Sequence, residues 1–163
     1  ISNPAAFFKK NSEIVEEFVG ETVQKFKKNY PNINVKVSVP QNVIFVSVDV
    51  TLIEQVIINI LQNAVIHGRT TTEINVCVSE HAKRVLFSIA DNGVGIDRDM
   101  LPKIFNATSV HIQHGTSDIT RDIGIGLSVC KSIITAHGGK MRARNRRNGG
   151  AVFEFTLPVE KNI

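Results

Sequence analysis

Residues 50–67, VTLIEQVIINILQNAVIH, constrain the fold more than any other stretch of the chain. Leu52, Ile53, Val56, Ile57, Ile60, Leu61 and Ala64 recur at helical spacing and form one apolar stripe. A helix this apolar must be covered, and the short alternating segments around it can supply the cover as a sheet. Asp49 is placed to cap the helix start. Gly68 offers a C-terminal stop. Asn59 and Asn63 nevertheless stand inside the run, one helical turn apart on one face, with Gln62 beside Asn63. Neutral amides there either face solvent or carry chemistry. An amide oxygen is a hard neutral ligand that suits Mg²⁺, an ion that keeps waters and leans on substrate phosphates.

The flanking segments follow the same reading. Residues 11–29 form an amphipathic helix through Ile14, Val15, Phe18, Val19, Thr22 and Phe26, broken by YPN. NVKVSV (34–39) and VIFVSV (43–48) read as strands, as do INVCV (74–78) and VLFSIA (85–90) around a polar turn. Residues 97–105 suit one or two helical turns interrupted by Pro102. A last helix runs over about 124–137 and a last hairpin turns through Asn148-Gly149-Gly150. The expected class is α/β: a two-layer sandwich of a mixed, largely antiparallel sheet with helices on one face. One domain is expected over residues 1–163, with its core over about 11–158. The polar stretch of about 106–123 has no clean period and the length of a functional lid.

Composition excludes some functions. The formal charge of +4 and pI near 9.2 favour a polyanionic partner without naming one. No recognisable reading helix accompanies that charge, so no direct nucleic-acid contact is expected. No run of about 18 apolar residues appears, so no membrane contact by this segment is expected. Cys77 and Cys130 make no CxxC pair and no disulfide framework, which suits reducing surroundings. The opening ISNPAAFF lacks Met and reads as a cut from a longer chain.

Two glycine-bearing stretches carry further chemistry. DNGVGI (91–96) follows a strand directly. Asp91 could accept a hydrogen bond from an exocyclic amine such as adenine N6. Gly93 and Gly95 permit tight turns and close ligand approach before Ile96. The bland alternative is an ordinary strand-to-helix turn. IGIGLSVCK (123–131) opens a helix at Gly124, Ile125, Gly126 and Leu127, where free N–H groups and the helix dipole suit an anion. Arg121 and Lys131 could add positive charge toward phosphates. A P-loop, a GxGxxG fingerprint and the HRD and DFG motifs of protein kinases are all absent from the sequence.

The order of these stretches resembles the ATP-binding catalytic domain of sensor histidine kinases, with its Bergerat-type fold, over nearly the whole chain. NILQNAVIHG is similar to the family's N box, DNGVGI to its first glycine box, KIF ending at Phe105 to its F box, and Gly124, Gly126 and Leu127 to its second glycine box. AHGG and NGGAVFEFTLP are similar to the family's closing region. The resemblance implies ATP and Mg²⁺ as cofactors. It puts Asn63 on the metal with Asn59 in support, Asp91 on adenine N6, and His67, at the end of the N-box helix, near the nucleotide. It implies transfer of the γ-phosphoryl group to a histidine on a separate, upstream dimeric helical domain, and then to a response regulator. The implied location is cytoplasmic, in a sensor protein that could be anchored to a membrane elsewhere.

Four positions depart from the family pattern. Gln62 stands where many members carry Glu, Asp or His, and a neutral amide is a poor base. Ile66 replaces a frequent Lys, Asp122 a frequent glycine, and Ala151 a frequent Thr near the adenine. Gln62, Ile66 and Asp122 keep open a degenerate nucleotide-binding interaction module without transfer, and a serine-directed anti-sigma-type kinase would use the same N and glycine boxes. His111, His114 and Asp118 lack the ligand number of a structural zinc site and fit a lid better. His137 reads as a helix-end residue. Arg142, Arg144, Arg146 and Arg147 read as a solvated strand face or an acidic-partner dock.

Overall fold

The structure, a computed structural model, describes residues 8–106 and 126–160. Its first element corrects the predicted helix 11–29. Asn11–Ile14 is instead a short strand, β1, and the helix α1 spans Val15–Asn29. Residues 11–13 bring no apolar side chain to the helix face, while the backbone of Phe45–Val48 (β3) needs a partner. β1 supplies it antiparallel, Asn11 opposite Val48 and Ile14 opposite Phe45. Tertiary pairing outweighs the local periodicity there.

The main sheet contains Asn34–Ser38 (β2), Glu73–His81 (β4), Arg84–Asp91 (β5), Met141–Asn145 (β6) and Ala151–Pro158 (β7), in the order β2-β4-β5-β7-β6. β2 and β4 run parallel and the other neighbours antiparallel. The sandwich is therefore the mixed, largely antiparallel sheet expected, with α1, α2 (Val50–Ile66) and α3 (Leu127–Ala136) on one face. Residues 101–103 form only a single 3₁₀ turn, with Pro102 at its start.

Period-two alternation decides what faces the helices. In β5, Val85, Phe87 and Ile89 are buried, and the next residue in the series is Asp91, only 3% exposed. Phe87 stacks on Phe155 of β7 at 4.6 Å, and Phe18 of α1 lies 6.2 Å from it. Burying each such ring contributes about 1.5–3 kcal/mol. The same alternation thus puts a carboxylate at the open end of an apolar layer. On α2, Ile53, Val56, Ile57, Ile60 and Leu61 are each at most 1% exposed, as the stripe predicts.

Among the described residues no helix is long and apolar enough to cross a membrane, and no cluster of three metal-ligating His, Cys, Asp or Glu occurs.

Candidate functional site

A cleft opens where the C-terminal half of α2, the end of β5 and the start of α3 meet. Asn63, His67 and Gly68 line it from α2 and its end. Asp91, Gly95 and Ile96 line it from β5 and the loop that follows. Ile104, Leu127, Ala151 and Phe153 complete the wall. Apolar side chains thus share the cleft with three polar ones, an amide, an imidazole and an acid, the mixture a ligand pocket uses.

Asp91 is held from its backbone outward. Its Oδ1 accepts the Gly93 amide at 2.8 Å and the Ala151 amide at 3.3 Å. Burial pushes the carboxyl above its ordinary value, against the opposing pull of those two amides and of the Arg146 charge. The neighbouring glycines are forced by crowding. A methyl on Gly93 would lie 2.6 Å from the Gly68 Cα. Gly95 has φ +84°, which a side chain would strain. The helix stops where Gly68 was expected to end it: His67 is the C-cap and Gly68 follows, with no positive φ. A methyl on Gly68 would meet the Thr71 hydroxyl and the Ala64 carbonyl oxygen. The Gly68 carbonyl accepts the Val94 amide at 2.9 Å, so helix end and loop are locked together.

The two asparagines differ. Asn63 is 7% exposed and faces the cleft, and its Nδ2 donates to the Asn59 carbonyl at 2.8 Å. That bond turns Oδ1 away from the helix backbone. Asn59 is 1% exposed and stands behind it, outside the cleft wall. Its Nδ2 donates to the Cys130 Sγ of α3 at 3.2 Å, while its Oδ1 is buried with no hydrogen-bond partner among the described residues. Burial pushes the Cys130 thiol up to about 12, so it stays protonated. The Gln62 Oε1 is likewise buried without a partner among the described residues. Orphaned buried oxygens are costly in a closed protein, by about 1–3 kcal/mol each. Both belong to α2, and neither residue is among those that line the cleft.

The start of α3 adds an anion-friendly end. Gly126 is its N-cap, with no side-chain cap bond. Lys131 points its ammonium over the Phe105 ring, 5.2 Å from the centroid, and Phe105 packs edge-on against Phe153 at 6.3 Å. The predicted F box and the α3 helix are therefore tied by a cation–π contact. Arg121, Gly124, Ile125 and Asp122, with His111, His114, Asp118 and all but the first residue of the expected lid, lie outside the described residues. Sequence reading missed Ile104 and Phe153 as wall residues, because an apolar position carries no mark of which cavity it faces. It also missed Asn145, discussed below.

The family profile described as "Histidine kinase-, DNA gyrase B-, and HSP90-like ATPase" matches residues 48–161. The chain belongs to this ATPase family. Among its relatives, the sensor protein KdpD of Clostridium acetobutylicum is 48% identical over 93% of the chain, and KdpD of Escherichia coli K12 is 31% identical over 93%. The chain spans 17% of the length of each. Among solved structures, the nucleotide-free catalytic domain of histidine kinase ThkA superposes with a TM-score of 0.76 at 28% identity, covering 92% of this chain and 95% of that one. ThkA in complex with the response regulator TrrA matches at 26% identity and TM-score 0.73, covering 94% of this chain and 42% of that one. Within the ATPase family, the chain is therefore an ATP-binding domain of the histidine-kinase catalytic type.

Proposed function

We propose that this domain binds Mg·ATP in the Asn63–Asp91 cleft and donates the γ-phosphoryl group to a histidine on a separate dimeric helical domain. The observation that carries the reading is the pairing of a buried, backbone-clamped carboxylate with a cleft-lining asparagine amide beside apolar wall residues. Asp91 would accept the adenine amine through its second oxygen. Ile96, Ile104 and Phe153 would sandwich the base. Asn63, supported by Asn59, would hold the metal, and the uncapped start of α3 would receive phosphate oxygens. Bound there, Mg²⁺ neutralises phosphate charge during transfer.

Most of what these residues contribute is positioning and electrostatics. Gln62 sits beside Asn63, and its carbonyl oxygen is buried with no partner among the described residues. As a neutral amide it would take no proton from the incoming histidine. The acceptor helical domain would lie upstream in the longer protein and a response regulator would act downstream, as ThkA's complex with TrrA supports. A cytoplasmic placement follows from that reading.

One observation favours a second reading, a module that keeps nucleotide without transferring phosphate. Gln62 offers a neutral amide and no base beside Asn63. Titration of a fluorescent ATP analogue with and without Mg²⁺ tests the site. Asn63→Ala should abolish the Mg²⁺-dependent gain, and Asp91→Ala should weaken binding under both conditions. Unchanged binding in both variants refutes the site. Acid-labile phosphate on histidine, after adding the cognate helical domain, decides for transfer. Tight ATP binding without it decides for the interaction module.

A further inference from the structure

Alternation predicts most of Arg142, Arg144, Arg146 and Arg147 on one face, but the structure divides them, with Arg146 and Arg147 beyond the end of β6. Arg142 pairs with Glu154 at 2.8 Å, and Arg144 lies 3.9 Å from the same carboxylate. Arg146 turns the other way, and its Nη1 donates to the Asp91 backbone carbonyl at 2.8 Å. Asn145, one residue earlier, clasps the loop after Asp91 with both ends of its amide. Its Oδ1 accepts the Ile96 amide at 2.7 Å, and its Nδ2 donates to the Ile96 carbonyl at 2.8 Å. A side chain that satisfies both backbone groups of one residue acts as a strand neighbour would.

Three glycines make this docking possible. A methyl on Gly95 would lie 2.9 Å from the Asn145 Oδ1. One on Gly150 would collide with the Asp91 carbonyl oxygen, and Gly149, at φ +97°, holds a backbone conformation that side chains rarely adopt. The hairpin tip closes on itself through the Arg146 amide and the Gly150 carbonyl at 2.9 Å. Both ends of the Asp91–Ile96 segment, its first carbonyl and its last peptide, are therefore held by two adjacent residues 49 to 55 positions away in sequence.

We propose that Asn145 and Arg146 are positioning residues that set base selectivity by fixing the Asp91–Ile96 loop against the cleft, so that the site tells a 6-amino purine from a 6-oxo purine. This rests on the adenine reading of Asp91. A carboxylate rejects a 6-oxo base only if it cannot swing aside, because the penalty comes from two acceptors held face to face. The hairpin tip removes that freedom. Asp91 supplies the contact, and Asn145 and Arg146 supply its rigidity.

The test compares ATP with inosine triphosphate by titration calorimetry on the full chain, for wild type, Asn145→Ala, Asn145→Asp and Arg146→Gln, each checked by thermal melting. Wild type should prefer ATP. In Asn145→Ala the ATP Kd should rise about tenfold, one 1.4 kcal/mol step, while the inosine nucleotide changes less than about twofold, so the preference falls. Asn145→Asp keeps the acceptor and loses the donor, and should lie between. A general loss of structure would weaken both nucleotides together and leave their ratio unchanged. A preserved ratio in both Asn145→Ala and Arg146→Gln overturns this inference alone. No ATP preference in the wild-type chain overturns the adenine reading and this inference with it.

Discussion

Replacing Asp91 by Asn should separate base recognition from stability. The side chain is 3% exposed, and its Oδ1 holds the Gly93 and Ala151 amides. An asparagine oxygen in the same place keeps both bonds. Burial holds the folded carboxyl above its ordinary 3.8. The folded state therefore binds the proton more tightly than the unfolded chain, and stability falls as pH rises from 3.8 through the folded value. Above the folded value that penalty is complete, and there removing the charge should leave the melting temperature equal or higher. ATP binding should move the other way. A hydrogen bond to a charged acceptor contributes about 1.5–3 kcal/mol, so the Asn variant should bind ATP roughly 10- to 150-fold more weakly. The wild-type chain should show the same loss on acidification, beginning above the ordinary carboxylate range. Calorimetric titration at pH 7 with parallel thermal melts measures both quantities. Unchanged ATP affinity refutes Asp91 as the base acceptor. A melting temperature lowered by several degrees refutes the argument from buried charge.

Three further outcomes are expected. Gly95→Ala should cost about 1–2 kcal/mol from its left-handed backbone alone, on top of the contact with Asn145, and a urea titration will show it. Phe87→Ala should cost about 3–5 kcal/mol by emptying the stack between Phe18 and Phe155; a loss below 1 kcal/mol in the same titration contradicts the packing. His137 accepts the Asp49 amide at Nε2 (3.1 Å), and its Nδ1–H donates to the Ile133 carbonyl (2.8 Å). Burial lowers its proton affinity, with Lys10 adding to the shift and the Ile133 bond and Asp49 opposing it. Stability from this residue is present above pH 6.5 and is lost as pH falls from there through the folded value. His137→Gln should flatten that part of the melting-temperature profile, and an unchanged slope refutes the assignment.

Much of this protein was legible before folding. Local periodicity is written in adjacent residues, so α2, α3, the alternation of β5 and the closing hairpin could be read directly. The N-box amides, Asp91 and the paired glycines could be read as well, because their residue types are unusual where they stand. Tertiary structure alone turned Asn11–Ile14 from helix into strand, since that choice depends on the unpaired edge of β3. It alone set Asn59 behind Asn63, bonded to a cysteine 71 residues away. It also moved Asn145 and Arg146 from a charged strand to the back of the Asp91–Ile96 loop. Sequence states which groups are available and their local spacing. Which carbonyl an amide or guanidinium meets depends on long-range register, and no local pattern encodes that.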